Sequence, residues 1–333
     1  MRKLLINSTA IATVAAITAS VTALTASVAV ADVSISASTE FKYISRSSQV
    51  TATDGTKTVS DSEVVFKFSN KTDNGLTVGY VVELQSDGGN TAIDESSFSI
   101  EGGFGKFVLG ENDGVGENFG IAATDLVSEE ERNSVVSATI SLSTDVTAQG
   151  NAIKVAYFLP PMGGLTAGMS FADSGMTTGT DTTSFGAHYT MDAGGNTITV
   201  GGATTTTEAA TKDTDSQNLG VKVVSGNLAV TVSQGTHEAV DEDRQGQAIA
   251  AQYTLANGMV LSAFTLKTED DQDAGEEYAA SGVEAIYTIA DGLTAVVGFT
   301  DYEYTVSPTD VDTGMSAVSD SGTTTALTIK AAF

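Results

Sequence analysis

The sequence contains no cysteine, no tryptophan and only three prolines. Without cysteine there is no disulfide framework, so hydrogen bonds and packing alone must hold the fold. Histidine is nearly absent as well: His188 and His237 are the only two. Neither sits in a recognisable nucleophile motif, so general-base chemistry finds no partner and an enzyme is not expected. Basic residues are scarce. Lys and Arg number 15 against 42 Asp and Glu, and two of the fifteen are Arg2 and Lys3 at the extreme N-terminus. That balance excludes nucleic acid, whose phosphates need a basic surface, and a basic helix lying on a membrane. The last absence is helical periodicity, which is missing beyond residue 31.

The first 31 residues read as an export leader. Arg2 and Lys3 precede a run that is uncharged from Leu4 to Asp32 and closes on the small-x-small pattern Ala29-Val30-Ala31. A signal peptide over 1–31, cut before Asp32, is the expectation. A transmembrane helix is the competing reading, since the run is long enough to span a bilayer. Its dilution by Ser8, Thr9, Thr13, Thr18, Ser20, Thr22, Thr25 and Ser27 favours the leader.

What the rest of the chain does have is alternation. Val33, Ile35, Phe41 and Tyr43 share one parity and Ser34, Ser36, Ser38, Glu40 and Lys42 the other. Leu76-Val78-Tyr80-Val82-Leu84 and Thr325-Leu327-Ile329-Ala331-Phe333 repeat the pattern, which is that of strands with two unlike faces. Tight-turn chemistry recurs at 73–75, 102–105, 160–164, 192–196, 225–227, 256–258 and 290–292. Between these turns lie longer acidic connections, roughly 46–61, 86–91, 113–149, 173–182, 208–215, 238–244, 268–276 and 306–321. Short and long connections therefore alternate, and the boundaries give about sixteen strands, an even number as a closed bacterial barrel requires. Alternation is poor only near 92–101 and 244–256. The expectation for 32–333 is an all-β, transmembrane, antiparallel up-and-down barrel with short periplasmic turns and long extracellular loops.

The second face of each strand is Ser, Thr, Gly and Ala with scattered charge, which suits a wet interior better than the surface of a soluble sheet. Aromatics from Phe41 to Phe333 fall near strand ends, where a lipid-facing barrel carries its girdles. On the signal peptide, the even barrel pattern, the segment Gly102-Gly103-Phe104-Gly105-Lys106-Phe107-Val108-Leu109-Gly110 and the terminal Phe333, the chain resembles the general porins of Gram-negative bacteria, in particular trimeric porins of α-proteobacteria. The resemblance implies a homotrimer amid outer-membrane lipid and lipopolysaccharide, passing small hydrophilic solutes and ions without a cofactor. It also implies a third extracellular loop folded inward as a constriction. A final strand ending in Phe333, with Leu327 and Ile329, is implied to be read by the outer-membrane assembly machinery; Ala331 is smaller than that signal usually carries. A solute-specific channel is one alternative, and an acidic secreted or surface β-protein of adhesin or surface-layer type is another.

The candidate third loop, 113–149, holds Asp113, Glu117, Asp125, Glu129, Glu130, Glu131 and Asp145 against a single base, Arg132. Folded inward, these acids would line the narrowest part of the lumen. Strand parity puts Lys42, Lys67, Lys106 and Lys154 on the inward face, and the resemblance implies a basic wall there, usually of arginine. With acid in excess, cation preference is expected. The acidic runs Asp241-Glu242-Asp243 and Glu269-Asp270-Asp271, and the pair Asp310 and Asp312, lack Ca²⁺-loop spacing and read as solvated loop tips, so no metal site is assigned. The glycines of 102–105 have no phosphate-loop context and mark a hairpin.

Overall fold

The computed structural model describes residues 32–49, 54–87, 90–127, 152–173, 181–209, 211–240, 243–271, 276–305 and 319–333, without the side chains of 86, 87 and 90–92. The expected leader lies outside the described residues.

Sixteen strands follow one another in order. The first eight are β1 (Asp32–Ser48), β2 (Gly55–Lys71), β3 (Thr77–Asp87), β4 (Asn90–Gly102), β5 (Gly105–Glu111), β6 (Ile153–Phe158), β7 (Leu165–Ala172) and β8 (Thr182–Ala193). The second eight are β9 (Asn196–Thr207), β10 (Thr214–Ser225), β11 (Leu228–Glu238), β12 (Asp243–Thr254), β13 (Val260–Asp270), β14 (Glu277–Ala290), β15 (Leu293–Thr305) and β16 (Asp320–Ala332). A single-turn helix α1 (Val115–Phe119) and a 3-10 turn (Ala123–Leu126) lie between β5 and β6. Each strand pairs antiparallel with its neighbours and β1 pairs with β16, so the sheet closes. The seam runs from Ser38↔Ala332 to Ser48↔Gly322. It is finished by Phe333 N–H donating to Ala37 O at 2.8 Å and Ala37 N–H to Phe333 O at 3.2 Å. Closure leaves no edge whose amides would go unpaired in hydrocarbon. Among the described residues no helix is long and apolar enough to cross a membrane; strands do the crossing.

All seven expected tight turns are present. At Gly105 the turn needs a residue without Cβ: φ is +108°, and a Cβ there would sit 2.3 Å from Phe158 O. The expected first long connection is shorter than its 46–61 boundaries, because β1 continues to Ser48 and β2 begins at Gly55. The two weakly alternating regions have separate causes. In β4 the register against β3 shifts between Glu83↔Glu95 and Leu84↔Ile93, so Asp94 is an extra residue that breaks parity. In β12 the alternation is sound in space, but Gln245 and Gln247 stand on the outer face and Ala248 and Ala250 on the inner one.

The ladder sorts the faces. Pairs such as Tyr80↔Phe98, Phe107↔Tyr157, Tyr189↔Val200 and Val283↔Phe299 put large apolar side chains on the convex outside. Most of them are exposed there, as Phe41, Tyr253, Val297 and Ile329 also are, and Phe107 and Tyr157 are half-buried. Phe41, Tyr43, Phe98, Phe107, Tyr157, Tyr189, Tyr253 and Phe299 share this outer face, with the Phe107 and Tyr157 rings 4.6 Å apart and tilted beside Phe104 near the turn side. Toward the loop side the outer face turns polar at Ser281, Asp301, Thr323 and Ser45, which marks the edge of the hydrocarbon band. Val297 lies within that band and is 51% exposed. Val297→Lys is expected to cost about 2–4 kcal/mol, the range for a lysine at mid-bilayer depth. Urea titration of the protein in lipid vesicles measures this, and an unchanged midpoint would place the band elsewhere.

Candidate pore constriction

Beyond β5 the chain turns back across the inner wall instead of leaving the barrel. Its backbone N–H groups are received one after another by inward side chains: Val115 by Ser170 Oγ at 3.0 Å, Ile121 by Asn218 Oδ1 at 2.7 Å and Ala123 by Ser233 Oγ at 2.8 Å. His188 Nε2 lies 2.8 Å from Phe119 O, and Gln252 Nε2 donates to Leu126 O at 3.1 Å. These five partners belong to β7, β10, β11, β8 and β12, so a dozen residues cross six strands of wall. Each anchor satisfies a backbone group that the irregular segment would otherwise bury unpaired.

Apolar contacts fix the same path. Val115 and Phe119 pack with Ala156 and Ala203, and Ala123, Leu126 and Val127 pack with Ala248, Ala250, Phe264, Leu266 and Tyr278. Glycines make room for them. A Cβ at Gly186 would lie 2.4 Å from Phe119 Cβ, and one at Gly220 would lie 2.4 Å from Ile121 O. While Val115, Phe119, Ile121 and Leu126 are buried, Asp113, Glu117 and Asp125 are exposed. Glu117 and Asp125 are therefore presented to the lumen, while the exposed Asp113 reaches the Glu95 side chain of β4. The other loop acids named from sequence, Glu129, Glu130, Glu131 and Asp145, and Arg132, lie outside the described residues, as do Asp241, Glu242, Asp310 and Asp312.

The four lysines all have inward parity, but the structure does not gather them. Lys67 and Lys154 occupy one ladder row, Lys67–Val81–Ser97–Gly110–Lys154, yet four strand spacings separate them, about 19 Å. Lys106 pairs across from Glu101 beside the 103–104 turn, at the end of the barrel remote from the loop stem. Lys154 is 2% exposed, and its ammonium donates to Asn112 O at 2.8 Å and Ala152 O at 3.3 Å. It thus ties the outgoing stem of the loop to the returning one. Lys42 is 4% exposed and pairs with Glu40 at 3.1 Å, and Lys330 takes the other Glu40 oxygen at 3.1 Å.

Several charged groups of the inner wall are absent from the residues singled out by sequence. Glu83 and Glu95 stand opposite each other on β3 and β4, and Asp113 is within electrostatic reach of both, with Lys67 near Glu83 and Lys154 near Glu95. Arg46 and Lys330 share the β1–β16 wall. Arg244 Nε pairs with Asp270 Oδ2 at 3.3 Å, both side chains almost wholly buried; Asp270, expected in a solvated loop tip, is instead the last inward residue of β13, held there by the arginine. Alternation in 76–85 already placed Glu83 inward; Glu95 was hidden by the bulge. Glycines at inward positions of strand interiors were the available signal for the loop's seat, because a glycine there marks close approach of another chain segment. His237, whose Nδ1 lies 2.8 Å from Ser216 Oγ, links inner-face side chains of β10 and β11.

A closed sixteen-stranded sheet, apolar outside and polar inside, with a loop returned along its inner wall, defines the class of outer-membrane β-barrel channels. The sequence profile of the Gram-negative porins matches residues 13–325, and the chain belongs to that family. Solved structures agree at the level of fold. A mutant of the Rhodobacter blastica porin shares 16% identity over 91% of this chain and 100% of that chain, with a TM-score of 0.66. OmpT, an outer membrane protein of Vibrio cholerae in its trimer form, shares 12% identity over 91% of this chain and 99% of that one, also at 0.66. No curated protein matches the chain.

Proposed function

We propose that the mature chain is a passive diffusion porin for small hydrophilic solutes and ions, with a preference for cations. The observation that carries this reading is the segment 112–127, which buries its apolar side chains on the inner wall and leaves Asp113, Glu117 and Asp125 exposed. Wall acids join them at Glu83 and Glu95, with Lys67 near Glu83, while Lys154 near Glu95 is held by the carbonyl of Asn112. An acid surplus beside the solute path enriches cations there. Export by residues 1–31, a homotrimer in contact with lipopolysaccharide, and recognition of the Phe333 strand by the assembly machinery belong to the same proposal. The trimer draws support from the trimer form of the Vibrio cholerae relative.

A solute-specific channel would place aromatics along an open path. Phe264, Tyr278, Tyr302 and Tyr304 do share the inner face of β13–β15, but the first three are buried within the cluster that also holds Leu126 and Val127. They seat the loop, which favours the general pore.

The test is single-channel recording of the purified mature protein in planar bilayers. Stepwise conductance proportional to bulk salt, with a reversal potential of the cation-selective sign under a salt gradient, is expected. Currents that saturate and are blocked by one solute would establish the specific channel instead, and clear anion selectivity would overturn the cation preference.

A further inference from the structure

At the root of the returned loop two acids touch. Asn112 is buried; its Nδ2 donates to Gly110 O at 2.7 Å, and its carbonyl accepts from the Lys154 ammonium at 2.8 Å. Two residues past Asp113, the Val115 N–H is held by Ser170 Oγ at 3.0 Å. Asp113 therefore stands between two fixed points, and its side chain is hydrogen-bonded to that of Glu95 on β4. Ionised carboxylates only accept hydrogen bonds, so this contact requires a proton on one of the two groups.

The surroundings are rich in acid. Glu83 of β3 stands directly opposite Glu95, and Asp94 is the bulged residue beside it. Glu63 of β2 lies near Glu83, and Glu117 of α1 lies near Lys154. Against these acids stand two bases, Lys67 of β2 and Lys154 of β6. Lys154 already spends two of its hydrogens on the carbonyls of Asn112 and Ala152. Loss of the shared proton would set two carboxylates in contact where acid already exceeds base. We propose that Glu95 and Asp113 act as one titrating unit that sets the ion preference of the pore. With the proton in place the pair carries one negative charge, and without it two. Asp113 is exposed to the lumen, so the second charge faces passing ions and cation preference rises with pH. The inference rests on the channel reading above.

The test is the reversal potential of the mature protein in planar bilayers near 0.1 M salt, followed as pH is raised. Isolated carboxyls are ionised by about pH 6, so the feature to look for is a step above that value. The cation-to-anion permeability ratio is expected to rise about threefold across it, the effect of one added charge at roughly 5–10 Å. Asp113→Asn lets an amide donate to Glu95 without a titrating proton, and Glu95→Gln does the same in reverse. Both variants are expected to lose the step, whereas Glu83→Gln lowers the ratio and keeps it. A flat ratio in the unaltered protein would overturn the proposal. So would a step that survives in both Asp113→Asn and Glu95→Gln, which would belong to other groups such as His188 or His237. Infrared spectra of the same protein in lipid need no current: a protonated-carboxyl band is expected to persist above about pH 6 and to vanish in Asp113→Asn. Absence of that band would equally refute the shared proton. A barrel that passes no current fails the channel reading, whereas current without the step fails this inference alone.

Discussion

Phe119→Ala is expected to unseat the returned loop and to produce larger, noisier single-channel currents. The ring of Phe119 packs against Phe158 at 6.1 Å and meets the His188 ring edge-on at 5.1 Å. Truncating a buried phenylalanine costs about 3–5 kcal/mol. The hydrogen-bonded anchors are worth about 1 kcal/mol each, and the packing of Leu126 and Val127 holds only the far end of the segment. A loss of about 3 kcal/mol changes the seated-to-released ratio by roughly a hundredfold. The opposite perturbation should have the same result: Gly186→Val places a Cβ 2.4 Å from that of Phe119, and Gly220→Val collides with Ile121. The wall is hydrogen-bonded strand to strand without the loop, so heat-modifiability on gels is expected to be retained in all three variants. Unchanged conductance and noise in all three would sink the idea that this seat holds the loop in place.

The fold was legible because its period-2 pattern and its turns are local. Each strand must present one apolar face to lipid, and each hairpin must supply the turn residues, so Leu76–Leu84 and Thr325–Phe333 announced themselves without reference to any other strand. Where two features coincided, local reading failed. The bulge at Asp94 shifted parity inside β4, and the polar outer rim at Gln245 and Gln247 removed the contrast that alternation depends on in β12. The site was legible only by half. Parity placed Lys42, Lys67, Lys106 and Lys154 inward, but whether lysines cluster depends on register across several strands, which no single strand records. Lys154 could not have been read as a clasp for Asn112 and Ala152, because those carbonyls reach it only once the loop has closed. The exposed Asp113, Glu117 and Asp125 were visible as acids in a long connection; that their neighbours Val115, Phe119 and Ile121 face the wall required the glycines opposite them.

Neutralising the paired wall acids, Glu83→Gln with Glu95→Gln, is expected to lower the cation-to-anion permeability ratio by roughly fivefold. A carboxylate 5 Å from a passing ion contributes about 0.8 kcal/mol at the dielectric of water, and salt at 0.1 M reduces this to about 0.5 kcal/mol. That energy enriches cations about twofold and depletes anions about twofold for each charge, and two charges at distances between about 5 and 10 Å combine to the stated factor. Lys67, the wall cation nearest Glu83, should act oppositely, so Lys67→Gln is expected to raise the ratio. Glu303→Gln on the outer face serves as the control and should leave it unchanged. Reversal potentials at pH 8, where carboxylates are ionised, and at several salt concentrations supply the measurement. The effect must shrink as salt rises, because screening shortens the reach of each charge. A ratio that is unmoved by the double substitution at low salt would deny the wall acids their role and pass it to the loop acids Glu129, Glu130 and Glu131. A ratio that falls equally at every salt concentration would point to an altered pore shape, since geometry is not screened and charge is.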